Sequence, residues 1–161
     1  MDKLAFIQAK NFIFSDIQRE IQLAYTSDLS EGKEIMRKFG INQGGGNFLS
    51  ALGLLCYTEF MGGIKRGVFR FDESKNNFNS FFKDLGKEYE NFLKKHNVYK
   101  IFRCGLAHEY FVKKSCTIAM MKNGESVGIG QNKSGQYYFV VEKYFEDFKK
   151  ACNKLQTQIY E

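Results

Sequence analysis

Residues 76–95 read NNFNSFFKDLGKEYENFLKK, and in them Phe78, Phe81, Phe82, Leu85, Tyr89, Phe92 and Leu93 recur mostly three or four positions apart. Side chains return to one face of an α-helix at that period, so the stretch predicts one helix whose apolar stripe joins the core of a bundle. Upstream, Ile7, Phe14, Ile17, Ile21 and Ala24, with Phe6 and Ile13 alongside, predict an amphipathic helix over residues 3–27. Ser27, Asp28, Ser30 and Gly32 break it, and a short helical piece over residues 32–39 ends at Gly40. Between these segments, Gly44-Gly45-Gly46-Asn47 leads into Phe48, Leu49, Ala51, Leu52, Leu54, Leu55, Tyr57 and Phe60. Apolar residues on nearly every side imply a helix buried at the centre, with Asn47 as its N-cap and Gly62-Gly63 as its stop.

Downstream, Val98, Phe102 and Leu106 lie on one line of a further helix beginning near residue 98. From residue 115 the period changes to two: Ile118 and Met120, Val127 and Ile129, then Tyr137, Phe139 and Val141 alternate. Asn123-Gly124 is a hairpin signal and Asn132-Lys133-Ser134-Gly135 offers a second turn. Tyr144, Phe145, Phe148, Cys152, Leu155 and Ile159 then give a closing helix. The expected fold is mainly α: a helical bundle with a small antiparallel β-meander, about residues 115–141, inserted before the C-terminal helix. Proline is absent, no Ser/Gly linker or repeat interrupts the chain, and residues 1–161 read as a single domain.

The composition narrows the functional classes. With 17 Phe and 9 Tyr in 161 residues the chain has ample material for a core. A net charge of +6 suits a polyanionic partner, nucleic acid first, and basic residues pair at Lys65–Arg66, Lys94–Lys95, Lys113–Lys114 and Lys149–Lys150. The four cysteines, Cys56, Cys104, Cys116 and Cys152, form no CxxC pair and read as free thiols of a reducing compartment. No signal-like N-terminus and no apolar run of membrane-spanning length is present, so a cytoplasmic location without membrane attachment is expected. The glycine triplet lacks the Lys-Ser or Lys-Thr of a P-loop and reads as a helix lead-in. Cys104 and His108 have helical metal-ligand spacing, but no other pair supplies the missing zinc ligands. Neither a metal nor a cofactor is expected.

The segment that carries chemistry is Ile101-Phe102-Arg103-Cys104-Gly105-Leu106-Ala107-His108-Glu109-Tyr110-Phe111. At about 100° per residue of an α-helix, Phe102 and Leu106 face the core and Arg103 and Tyr110 share one margin, while His108 falls about 140° from Arg103. One straight α-helix therefore holds the two side chains apart. A helix distortion, or a second copy across a twofold axis, would unite them. Imidazole titrates near neutral pH and can take or give a proton, and guanidinium offers a fixed charged fork to a phosphate. Glu59 on the central helix and Glu109 beside the histidine read as structural residues able to orient the pair. His96 reads as surface.

Arg103, His108 and Tyr110 resemble the R-x4-6-H signature of the HEPN domain family, and more narrowly the R-x4-H-x-Y form of HEPN toxins paired with a minimal nucleotidyltransferase. The helical layout of residues 3–110 and the last helix is similar to that family as well. The resemblance implies a dimerising helical bundle that acts as a metal-independent endoribonuclease of a toxin or phage-defence system. It implies Arg103 and His108 as catalytic residues and Tyr110 as a regulatory one; Cys104 and Glu109, on the same helix, are the further candidates for a supporting role. The implied partners are RNA, a second copy of the chain, and an antitoxin or nucleotidyltransferase that modifies Tyr110. Other HEPN proteins have lost activity and bind RNA, nucleotide or protein instead, which is the alternative reading. Cys104, where the family commonly has a polar residue, and the expected sheet depart from the family pattern. Tyr57, Tyr99 and Tyr110 offer stacking surface, although core packing accounts for the first two.

Overall fold

The computed structural model describes residues 1–42, 44–109 and 116–161. Its helices are α1 (Lys3–Asp28), α2 (Ser30–Lys38), α3 (Asn47–Arg66), α4 (Ser74–Phe82), α5 (Lys87–Lys95), a π helix (Tyr99–Glu109) and α6 (Val141–Tyr160). Three short strands, β1 (Cys116–Ala119), β2 (Ile129–Gln131) and β3 (Tyr137–Val140), precede α6. The mainly helical architecture with a small sheet ahead of the last helix agrees with the sequence reading.

The central helix is α3, which touches α1, α4, α6, the π helix and β1. Its buried Ala51, Leu54, Leu55 and Met61 meet Phe78, Phe81 and Phe82 of α4 and Tyr144, Phe145 and Phe148 of α6 in one core. Aromatic edges set much of that packing: Phe78 and Phe82 stack at 5.4 Å, and Phe82 meets the Tyr89 ring edge-on at 5.4 Å. The fully buried Tyr144 satisfies its hydroxyl on Thr58 at 2.9 Å. Tyr89 donates to Asp147 at 2.7 Å and accepts from the Gly128 amide at 2.9 Å, binding α5 to both α6 and the sheet.

Four local expectations are corrected. Asn47 is the first residue of α3 rather than its cap, a place taken by Gly46 in the left-handed region. The Asn47 amide instead donates to the Ile118 carbonyl at 3.1 Å, pinning α3 to β1. Gly62-Gly63 does not stop α3, which runs on to Arg66 and ends at left-handed Gly67. The two glycines serve packing: a Cβ on Gly62 would run into the Asn77 backbone carbonyl, and one on Gly63 would lie 2.7 Å from the Phe69 ring.

The helix expected over 76–95 is two helices. A 3-10 turn at Lys83–Leu85 and Gly86 at φ 150° divide them, which turns Tyr89 toward Asp147. Finally, the sheet is not an antiparallel meander. Its order is β1-β3-β2, with β1 parallel to β3 and β2 antiparallel to it. The turn at Asn132–Gly135 does join β2 and β3, its Gly135 amide donating to the Asn132 carbonyl at 3.0 Å. Around Asn123-Gly124, side-chain acceptors capture the backbone before a hairpin can form. The Lys122 amide donates to Glu142 at 2.9 Å and the Asn123 amide to Glu125 at 2.6 Å, so the chain crosses to the far side of β3.

Close approach of α3 and α4 at Gly62 makes a direct prediction. Gly62→Ala should destabilise the fold by about 2–3 kcal/mol, lowering Tm by roughly 5–10 °C, because one backbone must move off the other. A thermal melt within a degree of wild type would show that the helices do not meet there.

Candidate functional site

Residues 99–109 form a π helix, whose hydrogen bonds run from each carbonyl to the amide five residues on. Val98 just before it, and Phe102, Gly105 and Leu106 within it, are buried and anchor it to the core. The consequence for the motif is direct. Arg103 and His108 are five apart, so the π turn brings His108 back over Arg103 instead of leaving it on the opposite margin. The wide separation expected of an α-helix is thereby reduced within a single chain.

Arg103 is held from below. Its Nε donates to Glu59 Oε2 of α3 at 2.9 Å, with the two side chains only 22% and 19% exposed. Its guanidinium lies 6.0 Å from the Tyr99 ring centroid, one turn earlier in the same helix. Burial works against the Arg103 charge, but Cys56, Glu59 and Tyr99 beside it work for the charge and raise its pKa. Burial also pushes the Cys56 thiol up, Arg103 opposing and Glu59 assisting, which leaves it protonated near neutral pH. His108 is exposed, one π turn along. Cys104 is half-buried on the same helix. The Glu109 side chain and Tyr110 lie outside the described residues, as do Lys113 and Lys114.

A cavity of about 330 Å³ opens beside Arg103, walled by Glu59 and Cys56 of α3, by Phe69 and Phe71, and by Ser74 of α4. On the other side of Cys56 an apolar groove of about 600 Å³ runs between α1 and α3, rimmed by Phe12, Tyr57 and Phe60. Phe12 is 70% exposed there.

Glu59 was legible only in part. It is the sole charged residue between Asn47 and Ile64, in a helix otherwise apolar or uncharged, and a carboxylate so placed requires a partner. Phe69, Phe71 and Ser74 carried no motif, and only the fold brings them to Arg103.

Other sequence candidates are accounted for differently. His96 is not a bare surface residue, since its Nδ1 lies 3.1 Å from the Tyr137 hydroxyl and its ring packs on Phe92 at 4.4 Å. Two of the basic pairs are engaged with acids: Lys65 with Asp84 at 2.6 Å, Arg66 with Glu73 at 2.7 Å and Lys94 with Glu90 at 3.0 Å. The glycine triplet occupies the left-handed region throughout, and the Glu20 carboxylate faces Gly46, an arrangement that repels a phosphate. Among the described residues, no third His, Cys, Asp or Glu joins Cys104 and His108 to form a metal site. No described helix is long and apolar enough to cross a membrane.

No family model, curated protein or solved structure matches the chain.

The Arg103–Glu59 pair is open to a double-mutant cycle. Glu59→Ala, Arg103→Ala and the double variant, compared by urea unfolding, should give a coupling of about 1–3 kcal/mol, as expected of a sheltered charge-assisted hydrogen bond. A coupling near zero would class it with freely solvated surface pairs.

Proposed function

We propose that this chain is a metal-independent endoribonuclease that cuts single-stranded RNA, with His108 and Arg103 as its catalytic residues. The observation that carries the reading is the π turn, which places His108 one turn after a sheltered, Glu59-oriented Arg103 whose side chain lines an open cavity. Helices containing π turns are often found where function demands an otherwise costly geometry.

The chemistry follows from the groups. Neutral His108 takes the proton of a ribose 2′-hydroxyl, and the 2′-oxygen attacks the adjacent phosphorus. The bond from phosphorus to the 5′-oxygen breaks, that oxygen takes a proton from water as it leaves, and a 2′,3′-cyclic phosphate remains. Arg103 stays charged and meets the negative charge building on the phosphate oxygens. Its Nε is committed to Glu59, so the terminal nitrogens are the donors for this task. Single-stranded RNA is favoured because its backbone can rotate the 2′-oxygen into line.

The resemblance to HEPN toxins extends the proposal to a cytoplasmic toxin or phage-defence role, with an antitoxin or nucleotidyltransferase partner acting on Tyr110. It extends also to a homodimer. With the π turn uniting the motif, a second copy is no longer required to bring Arg103 and His108 together. The exposed groove around Phe12 and Phe60, which adjoins the cavity, supplies an apolar face for that copy. One observation favours the second reading, a silent binding module: Glu59 already neutralises Arg103.

Purified protein should cleave single-stranded RNA in EDTA and leave 2′,3′-cyclic phosphate ends, with the active species sedimenting as a dimer. His108→Ala should lower cleavage by about 10²–10⁴-fold while changing stability by less than about 0.5 kcal/mol, since the side chain is exposed. Wild type and His108→Ala equally inert on varied RNAs, with tight RNA binding retained, would favour the silent module. Equal activity would remove His108 from the chemistry.

A further inference from the structure

The segment Phe69-Arg70-Phe71 joins α3 to α4 along the rim of the Arg103 cavity, and all three residues line it. Phe71 is 96% exposed and Phe69 is 62% exposed. A connecting segment that shows two large aromatic rings to water on either side of an arginine buries little of them in folding. Yet the Phe69 ring is not loose. It packs 6.0 Å from the Phe60 ring, and Gly63 has no side chain where that ring lies. The glycine thus makes room for a ring that remains mostly in solvent.

We propose that this rim is a base-binding subsite: a nucleobase next to the scissile phosphate enters the cavity and stacks on Phe71, with Phe69 as the fixed wall. The proposal rests on the RNA reading above and names where that substrate is gripped. Three features support it together. The cavity, at about 330 Å³, has the size of a small-ligand pocket and ends at Arg103, which would hold the phosphate. Aromatic faces accept any base, and a neighbouring cation tracks the backbone, the combination by which single strands are bound without sequence reading. The charges nearby permit it as well. Arg70 pairs with Asp72 at 2.6 Å, both about two-thirds exposed or more, so exchange of that carboxylate for a phosphate costs little. Glu73 is occupied by Arg66 and Asn76, and Glu59 by Arg103. Asn77, Ser74 and Glu59 make the polar part of the cavity wall, the last two already bonded to Tyr99 and Arg103.

The test is fluorescence anisotropy with 5′-fluorescein-labelled ten-residue oligoadenylate and oligouridylate, on His108→Ala protein so that the probes stay intact. Adding Phe71→Ala should weaken binding about tenfold, the loss of one base–aromatic stack, and more for adenine than for uracil. Phe71→Leu, equally apolar but without a π face, should weaken it nearly as much, and Phe71→Trp should bind as well as the parent. Arg70→Ala should flatten the dependence of log affinity on log salt by about one unit. Phe39→Ala removes a ring of similar exposure that does not line the cavity, and should change nothing. Phe71→Ala or Phe71→Leu binding within twofold of a parent that binds well would overturn the subsite and leave the ribonuclease reading standing. A parent that binds neither oligonucleotide, with wild type cleaving none, would overturn both.

Discussion

Two charged residues stand within apolar stretches of their helices, and the site follows from their meeting. Glu59 is the sole charge in α3 between Asn47 and Ile64, and Arg103 is flanked by Ile101-Phe102 and Cys104-Gly105-Leu106-Ala107. Each would be costly to leave unpaired at this depth, so packing the π helix against α3 is favourable only where the two coincide. Their 2.9 Å contact fixes the register of one helix on the other. With that register set, Tyr99 lies under the guanidinium, Phe102 and Leu106 enter the core, and Arg103 reaches the cavity wall.

The wide turn of residues 99–109 is the second element of the arrangement. An α-helix would close with Arg103 and His108 about 140° apart. Drawing each hydrogen bond out to the fifth residue returns His108 to the side of Arg103. Val98, Phe102 and Leu106, all buried, anchor the segment to the core.

Much of the fold could be read from the chain, because burial leaves a period. The helices around Phe6 to Ala24, Phe48 to Phe60 and Tyr144 to Leu155 were visible in their apolar spacing, and so was the change to alternation after residue 115. What escaped were features set by side chains distant in sequence. Glu142, twenty residues on, takes the Lys122 amide where local turn signals pointed to a hairpin, and β1 lies on the opposite side of β3 from β2. Gly86 sat inside an unbroken helical stripe, and only the pull of Asp147 on Tyr89 explains why the chain turns there. Gly62 and Gly63 looked like a stop and are instead the places where Asn77 and Phe69 approach α3. At the site, Arg103 and His108 carried a motif and Glu59 a solitary charge, while Phe69 and Phe71 are brought in by a loop that no pattern marked.

The claim on which the account turns is that Arg103 and His108 of one chain share a side because the backbone between them is a π turn. Through-hydrogen-bond scalar coupling in isotope-labelled protein reads this directly, since it identifies which carbonyl accepts the His108 amide proton. The account predicts coupling from the His108 amide to the Arg103 carbonyl, five residues back. Coupling to the Cys104 carbonyl, four residues back, would mean an ordinary α-helix with the two side chains on opposite margins, and would contradict it.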